Sequence, residues 1–247
     1  MNLTRFPRVR LTHAPTPLEY LPNLSRLLGG PEIYIKRDDC TGLATGGNKT
    51  RKLEFLLGEA LAQQATCLVT HGATQSNHVR QTIAAACKFG LGATALLEER
   101  VDDGSPDYYG SGNVLLDRMF GAQIEVRPAG QNLNEEIVQV GERLRAKGER
   151  PYMIPGGGSN PVGALGYVVC AQEIVSQANA IDLPIDCVVH ATGSTGTQAG
   201  LVVGLEGQNA HIPVLGISVR MPRDKQEENV YRLAAQTWSL LGLRGEL

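Results

Sequence analysis

Between residues 67 and 219 the chain alternates short apolar runs with stretches of helical period, joined by short loops. Cys67-Leu68-Val69-Thr70-His71 reads as a strand, and 77–89 as a helix stopped by Gly90. Strands follow at 93–97, 124–127, 152–154, 187–190 and 214–219. Helices are expected over about 50–63, 111–120, 132–147, 161–178 and 197–206, with a polar loop at 98–110. Strands alternating with helices on short connections build a parallel sheet, so the fold class is α/β. Ligands of such sheets bind beyond the carboxyl ends of the strands. That rule singles out four loops: 46–49, 72–76, 155–160 and 191–197.

The first 31 residues read as loop, with prolines at 7, 15, 17, 22 and 31. Glu32-Ile33-Tyr34-Ile35-Lys36 alternates like a strand and ends in Arg37-Asp38-Asp39. Adjacent carboxylates on a strand point to opposite faces, so a glycosidase pair is not implied and a solvated or salt-bridged acid is expected. The formal charge of −2 and the dispersed basic residues exclude a nucleic-acid surface, and aromatics at 5% supply no base-stacking platform. No run of 18 apolar residues and no apolar leader core is present, so neither membrane insertion nor export is expected and a cytoplasmic location is. The five cysteines lack C-x-x-C spacing. Cys67 and Cys187 fall in apolar runs and are expected to be buried free thiols. No Cys/His cluster suits a metal.

Three stretches carry chemistry. In Gly46-Gly47-Asn48-Lys49-Thr50-Arg51-Lys52-Leu53-Glu54-Phe55 a glycine turn runs into a helix marked by Leu53, Leu56, Leu57, Ala60 and Leu61. Lys49 stands at the junction, where the helix field disfavours a cation. That field and desolvation would free its amine as a nucleophile; a solvated lysine beside a turn is the plain alternative. Asn48 between glycine and lysine breaks the phosphate-loop pattern of nucleotide triphosphatases. Ala191 to Gly200 follows a strand and opens a helix. The N–H groups there and the hydroxyls of Ser194, Thr195 and Thr197 would hold a phosphate, or the segment is simply a tight turn. Its G-x-x-G-x-x-x-G spacing, with Arg220 rather than an acid after the next strand, argues against a dinucleotide. In Gln75-Ser76-Asn77-His78, Ser76 or Asn77 would cap a helix or receive a carboxylate, and His78 would be a proton carrier or merely solvated.

Together with Pro155-Gly156-Gly157-Gly158-Ser159-Asn160 and Ser194-Thr195-Gly196-Thr197-Gln198-Ala199-Gly200, these stretches resemble the aminocyclopropane-carboxylate deaminase and D-cysteine desulfhydrase family. The resemblance runs essentially end to end. It implies a pyridoxal-phosphate enzyme of the tryptophan-synthase-β-like fold (fold type II) in two lobes. The larger, cofactor-binding lobe is expected over 1–51 and 159–247, and the smaller α/β lobe over 52–158. Carried over by position, Lys49 resembles the lysine that binds the cofactor covalently and then acts as base. Asn77 resembles the partner of the cofactor's phenolic oxygen. Gly193, Ser194, Thr195, Gly196 and Thr197 resemble the phosphate cradle, and Lys52 resembles a lysine that also reaches the phosphate. Gln75, Ser76, Asn77 and His78 resemble the substrate site, and Ser76, at the substrate carboxylate, is with Lys49 a candidate catalytic residue.

The resemblance implies β-elimination from a cysteine-like amino acid. Narrower likeness at 37–43, 155–158 and 225–231 points to the branch that cleaves L-cysteate to pyruvate, sulfite and ammonia. D-Cysteine desulfhydration and aminocyclopropane-carboxylate deamination are the alternatives. A sulfonate would need cations or extra donors, for which His78, Arg80 and Arg220 are candidates. Relatives suggest a homodimer. Family members continue for roughly eighty residues further, a typical size for a two-lobed enzyme, with a tyrosine against the cofactor ring and a His-Thr-Gly-Gly stretch. The chain is therefore expected to be C-terminally truncated, and a catalytically inactive remnant is the reading of another class.

Overall fold

The computed structural model describes residues 1–101 and 104–247. In chain order the elements are β1 (Leu18–Tyr20), α1 (Pro22–Leu28), β2 (Tyr34–Lys36), α2 (Lys49–Ala62), β3 (Cys67–Ala73), α3 (Asn77–Lys88), β4 (Gly92–Glu99), α4 (Pro106–Gly110), α5 (Gly112–Met119), β5 (Gln123–Pro128), α6 (Leu133–Arg145), β6 (Pro151–Met153), α7 (Pro161–Ala180), β7 (Val188–Thr192), α8 (Gly196–Glu206), β8 (Val214–Ser218) and α9 (Arg223–Leu241). Four parallel strands form one sheet in the order β5-β4-β3-β6, and β7 pairs parallel with β8. The α/β alternation is as expected from the sequence. No helix among the described residues is long and apolar enough to cross a membrane.

Three differences from the sequence reading have physical causes. The N-terminal segment is not all loop: β1 pairs antiparallel with β2, in register Leu18 to Lys36, and α1 starts at Pro22 and stops at the left-handed Gly29. α4 lies inside the loop expected over 98–110, capped by the Ser105 hydroxyl; positions 102 and 103 of that loop lie outside the described residues. α9 was not anticipated, because its mixed polar composition weakens the apolar stripe that marks a helix. One thiol expectation also fails. Cys67 is buried, but Cys187 is exposed, since it precedes β7 rather than lying in it.

α2 is the axis of the molecule. Its Leu53, Leu56 and Leu57 pack with Leu68, Ala85 and Ile154 against the four-stranded sheet and α3. Its Phe55, on the other side, packs with Leu165, Val168, Ala199 and Leu233 of α7, α8 and α9. The helix is thus buried all round, and its polar residues must be satisfied inside the protein. Close approach to α7 depends on Gly166, where a Cβ would stand 2.3 Å from the Arg51 carbonyl oxygen. On β7 and β8 the alternate residues Val189, Leu215 and Ile217 are exposed.

Candidate active site

The first turn of α2 carries two lysines, three residues apart. Lys49 is its first residue and is half-buried; its Nζ donates to Asn48 Oδ1 at 3.0 Å. Asn77 Nδ2, from the first residue of α3, donates to the same oxygen at 3.0 Å. Burial pushes the Lys49 ammonium down to about 8. Lys52 is fully buried and donates to the Gly157 carbonyl at 3.0 Å and to Ser159 Oγ at 3.3 Å. Burial, and then the charge of Lys49, hold its amine well below the ordinary lysine range. Neither amine enters any of the ion pairs found among the described residues. Two desolvated amines on one helix turn, with no carboxylate paired to either among the described residues, could hold an anion.

The opposing wall is the β7–α8 junction. Thr195 sits at φ 68°, outside the range side chains usually adopt, and turns the chain into α8 at Gly196. Ser159 Oγ lies 3.0 Å from Ser194 Oγ and accepts from the Gly196 N–H at 3.2 Å. A Cβ on Gly196 would stand 2.8 Å from Ser159 Oγ and 3.0 Å from Lys52 Nζ, so any larger residue would push both side chains away from this backbone. The N–H groups of the first turn of α8 have no partners within the helix. A cavity of about 200 Å³ is lined by Asn48 and Lys49 on one side and by Ala191 to Thr195 and Thr197 on the other. Lys49, Lys52 and Gly193 to Thr197, distant in sequence, are therefore brought to one place. A larger cavity, about 800 Å³, lies between α8, β8 and α9; it shares only Thr192 with the first and contains no lysine.

The stretch 75–78 divides. Ser76 caps α3, its Oγ accepting from the Val79 N–H at 3.3 Å, and its own proton stays available to a ligand. Asn77 reaches the Lys49 side through Asn48. Gln75 does not offer its side chain: Nε2 donates to the Tyr108 and Ser111 carbonyls at 2.6 and 3.0 Å, and Oε1 accepts from Asn113 N–H at 2.8 Å. His78 is buried under the helix. The Thr70 hydroxyl donates to the Ile154 carbonyl at 2.9 Å and so accepts from His78 Nε2 at 2.8 Å, which assigns the proton to Nε2. Burial first, and then the charges of Lys49 and Lys52, keep the ring neutral.

Two of the three groups considered for a sulfonate are corrected by this geometry. His78 is neutral and enclosed. Arg80 is 5% exposed and directs its guanidinium at the turn before Lys49. Arg220 is exposed at the end of β8.

Supporting residues absent from the sequence reading hold the lysine end in place. Gln81 Oε1 accepts from Thr50, and Gln81 Nε2 donates to the Asn77 carbonyl at 2.7 Å, tying α2 to α3. Arg51 donates to Asp38 (2.8 and 2.9 Å) and to Glu173 (2.8 and 2.9 Å). Tyr167 donates to Asp38 Oδ2 at 2.9 Å and lies 3.2 Å from the Asn48 carbonyl. Asp38 is thus the salt-bridged acid expected, while Asp39 pairs with Arg37 at the surface. The signal available in sequence was polar residues on a helix with no solvent face, at Arg51 and Tyr167.

Comparison with known proteins places this geometry. The family described as pyridoxal-phosphate dependent enzyme matches residues 9–239. D-cysteine desulfhydrase of Klebsiella pneumoniae (strain 342) is 53% identical over 218 residues, covering 88% of this chain and 66% of that protein. The D-cysteine desulfhydrase of Salmonella typhi is 49% identical over 232 residues, 94% of this chain and 70% of that one. The chain thus spans about two thirds of the length of these relatives. Among solved structures, an ACC deaminase homologue superposes with a TM-score of 0.90 at 41% identity, over 99% of this chain and 73% of that one. A threonine deaminase from T.th., at 23% identity and a TM-score of 0.63, covers 82% of this chain and 59% of its own, and shares the fold.

Proposed function

Because the chain belongs to the pyridoxal-phosphate dependent enzymes, in the branch of D-cysteine desulfhydrase and the ACC deaminase homologue, we propose that it is a carbon–sulfur lyase acting on D-cysteine. The observation that carries this reading is the desolvated Lys49 amine facing an anion cradle across one small cavity. The residues present fit the cofactor on three counts. Lys49 offers an amine, Asn77 an amide donor beside it, and Lys52 with Ser194, Thr195, Gly196 and Thr197 a cationic, donor-rich wall for a phosphate. Two amines with neutral hydrogen-bond partners and no carboxylate among the described residues are the feature that a bound dianion would complement. Gly193 closes the cradle on the strand side.

Bound there, pyridoxal phosphate supplies the electron sink for the carbanion left when the substrate loses its α-proton. The chain does the rest. With a value near 8, about a tenth of the Lys49 amine is neutral at pH 7, against well under a thousandth for an ordinary lysine. Lys49 Nζ would hold the cofactor and could take the α-proton of the substrate. Asn48 Oδ1 orients that nitrogen. Ser76 Oγ–H and the N–H groups that open α3 would receive the substrate carboxylate. Asn77 would hold the cofactor's phenolic oxygen.

D-Cysteine is put ahead of L-cysteate for two reasons. The relatives named above are D-cysteine desulfhydrases. A sulfonate is a permanent anion, and two of its three prospective partners, His78 and Arg80, are buried and otherwise engaged. Gln75 and His78 act in this reading as supports of the α3 start and not as side-chain contacts to substrate. The same proposal includes the lobe division at 52–158, supported by all four strands of the larger sheet lying between 67 and 153. It also includes a cytoplasmic homodimer, for which exposed Leu27 and Leu28 on α1 offer a surface. Product release from D-cysteine, L-cysteate and aminocyclopropane carboxylate, side by side, tests the activity. Pyruvate with sulfide from D-cysteine is expected; 2-oxobutyrate from the cyclopropane, with no product from D-cysteine, would overturn it.

A further inference from the structure

The turn that delivers Lys49 is held in an unfavourable backbone conformation. Gly42, Ala44, Thr45, Gly46 and Gly47 have φ of 93°, 45°, 70°, 80° and 130°. Glycine accepts such values, but Ala44 and Thr45 carry a Cβ that disfavours them, and threonine is branched there as well. A turn of this kind persists only if its surroundings hold it.

What holds it is Arg80, on the first turn of α3. Its Nη1 donates to the Ala44 carbonyl and the Thr45 hydroxyl, and its Nη2 donates to the Gly46 carbonyl at 2.9 Å. One planar fork thus grips three consecutive residues at once from two nitrogens, a spread that the single nitrogen of an ammonium does not match. On the far side the Thr41 hydroxyl accepts from the Gly47 N–H at 2.8 Å. Packed against α3 is α5, which brings Asp117 with no exposed surface. Both Asp117 oxygens and Arg80 Nε have no hydrogen-bond partner among the described residues. Arg80's only hydrogen-bond acceptors among the described residues are the neutral oxygens of the turn, and Asp117 forms no ion pair with it there, so the guanidinium fork is committed to the turn.

We propose that Arg80 is a positioning residue for Lys49, holding the strained Ala44–Gly46 turn so that the lysine amine stays in its desolvated place. This rests on Lys49 being the reactive amine of the site. The burial that brings Lys49 down to about 8 is then a property of the turn and not of the helix alone.

The test reads the Lys49 amine directly. Trace acetylation of the full chain across pH 6–11, followed by peptide mapping, gives a labelling midpoint for each lysine, with exposed Lys88 as internal reference. The wild type is expected to label at Lys49 with a midpoint near 8. Arg80→Lys keeps the charge but loses the fork. Its Lys49 midpoint should rise by about one pH unit, lowering labelling near neutral pH roughly tenfold. Arg80→Gln, which loses the charge and most of the fork, should move the midpoint the same way. Adding Thr45→Gly, which relieves the strain at one of the two strained residues, should bring the Arg80→Lys midpoint part of the way back toward wild type. If Arg80→Lys does not fold, Arg80→Gln carries the comparison. A Lys49 midpoint unchanged in both variants, even with a lower melting temperature, overturns the proposal. Pyridoxal phosphate uptake on the same samples separates the two readings. A shifted midpoint with no adduct in the wild type defeats the cofactor reading only; an adduct with an unshifted midpoint defeats the positioning role only.

Discussion

Gln81 Oε1 accepts two hydrogen bonds from Thr50, one from its N–H and one from its hydroxyl, each at 2.9 Å. Thr50 is the residue after Lys49, and its N–H is one of the helix-start donors with no partner inside α2. Gln81→Ala leaves that buried N–H only its longer bond to the Gly47 carbonyl, 3.3 Å, and should cost about 1 kcal/mol. Urea unfolding should show the loss with an unchanged m-value. Gln81→Glu keeps an acceptor and should lose less than the alanine variant.

The buried polar layer beneath α2 should be more sensitive still. Asp38 accepts from Arg51, Thr16 and Tyr167. Asp38→Ala leaves Arg51 with Glu173 as its one carboxylate and the Tyr167 hydroxyl with only the Asn48 carbonyl, 3.2 Å away. Removing one partner of a buried ion pair costs about 3–5 kcal/mol. Thermal denaturation of Asp38→Ala beside Asp39→Ala, whose carboxylate sits at the surface with Arg37, should show a large drop for the first and almost none for the second.

Lys49 makes stability depend on pH. Its value in the folded chain, about 8, lies below that of an unfolded lysine. Between those values the unfolded chain binds more protons, so stability rises as pH rises through that window. The gain expected between pH 8 and about 10.4 is about 1–3 kcal/mol, with Lys52 acting in the same direction. Unfolding curves in an anion-free buffer should show this slope in the wild type and a flatter one in Lys49→Met. Inorganic phosphate should raise the melting temperature at pH 7, and less so in Lys52→Met.

Asp117 acts at lower pH. Burial raises its carboxyl to about 7, against the pull of Arg80. The folded chain therefore holds a proton that the unfolded chain releases, and this contribution to stability is lost as pH rises from about 4 to 7. Asp117→Asn, which stays neutral, should match the wild type near pH 4. Above pH 7 it should be more stable by about 1–4 kcal/mol. Equal stability of the two chains at pH 8 would count against a strained carboxylate at this position.

Much of the frame was legible because each signal is local. Periods of two and 3.6 residues marked the strands of the four-stranded sheet and the helices around it, and the glycine turn and the Ser-Thr-Gly-Thr run marked two ligand loops. α9 was missed because its apolar residues are spread among charges, and β1 because three residues carry no usable period. The roles of Gln75, His78 and Arg80 depended on burial. A histidine one residue from Asn77 was open to either face in sequence, and only its bond to Thr70 on β3 shows that it is enclosed. Arg51 and Tyr167 could be seen as polar residues on buried helices but not as site supports, because the Arg51–Glu173 and Tyr167–Asp38 contacts join residues 122 and 129 apart in the chain.

The central claim is that Lys49, and no other amine, bonds to the cofactor. Incubation with pyridoxal phosphate, borohydride reduction and peptide mass mapping test it directly. The account predicts one stoichiometric pyridoxyl group on the peptide holding Lys49, absent in Lys49→Ala, and slower to form in Lys52→Met. A label on Lys52 or on surface lysines, with Lys49 unmodified in the wild type, would contradict it.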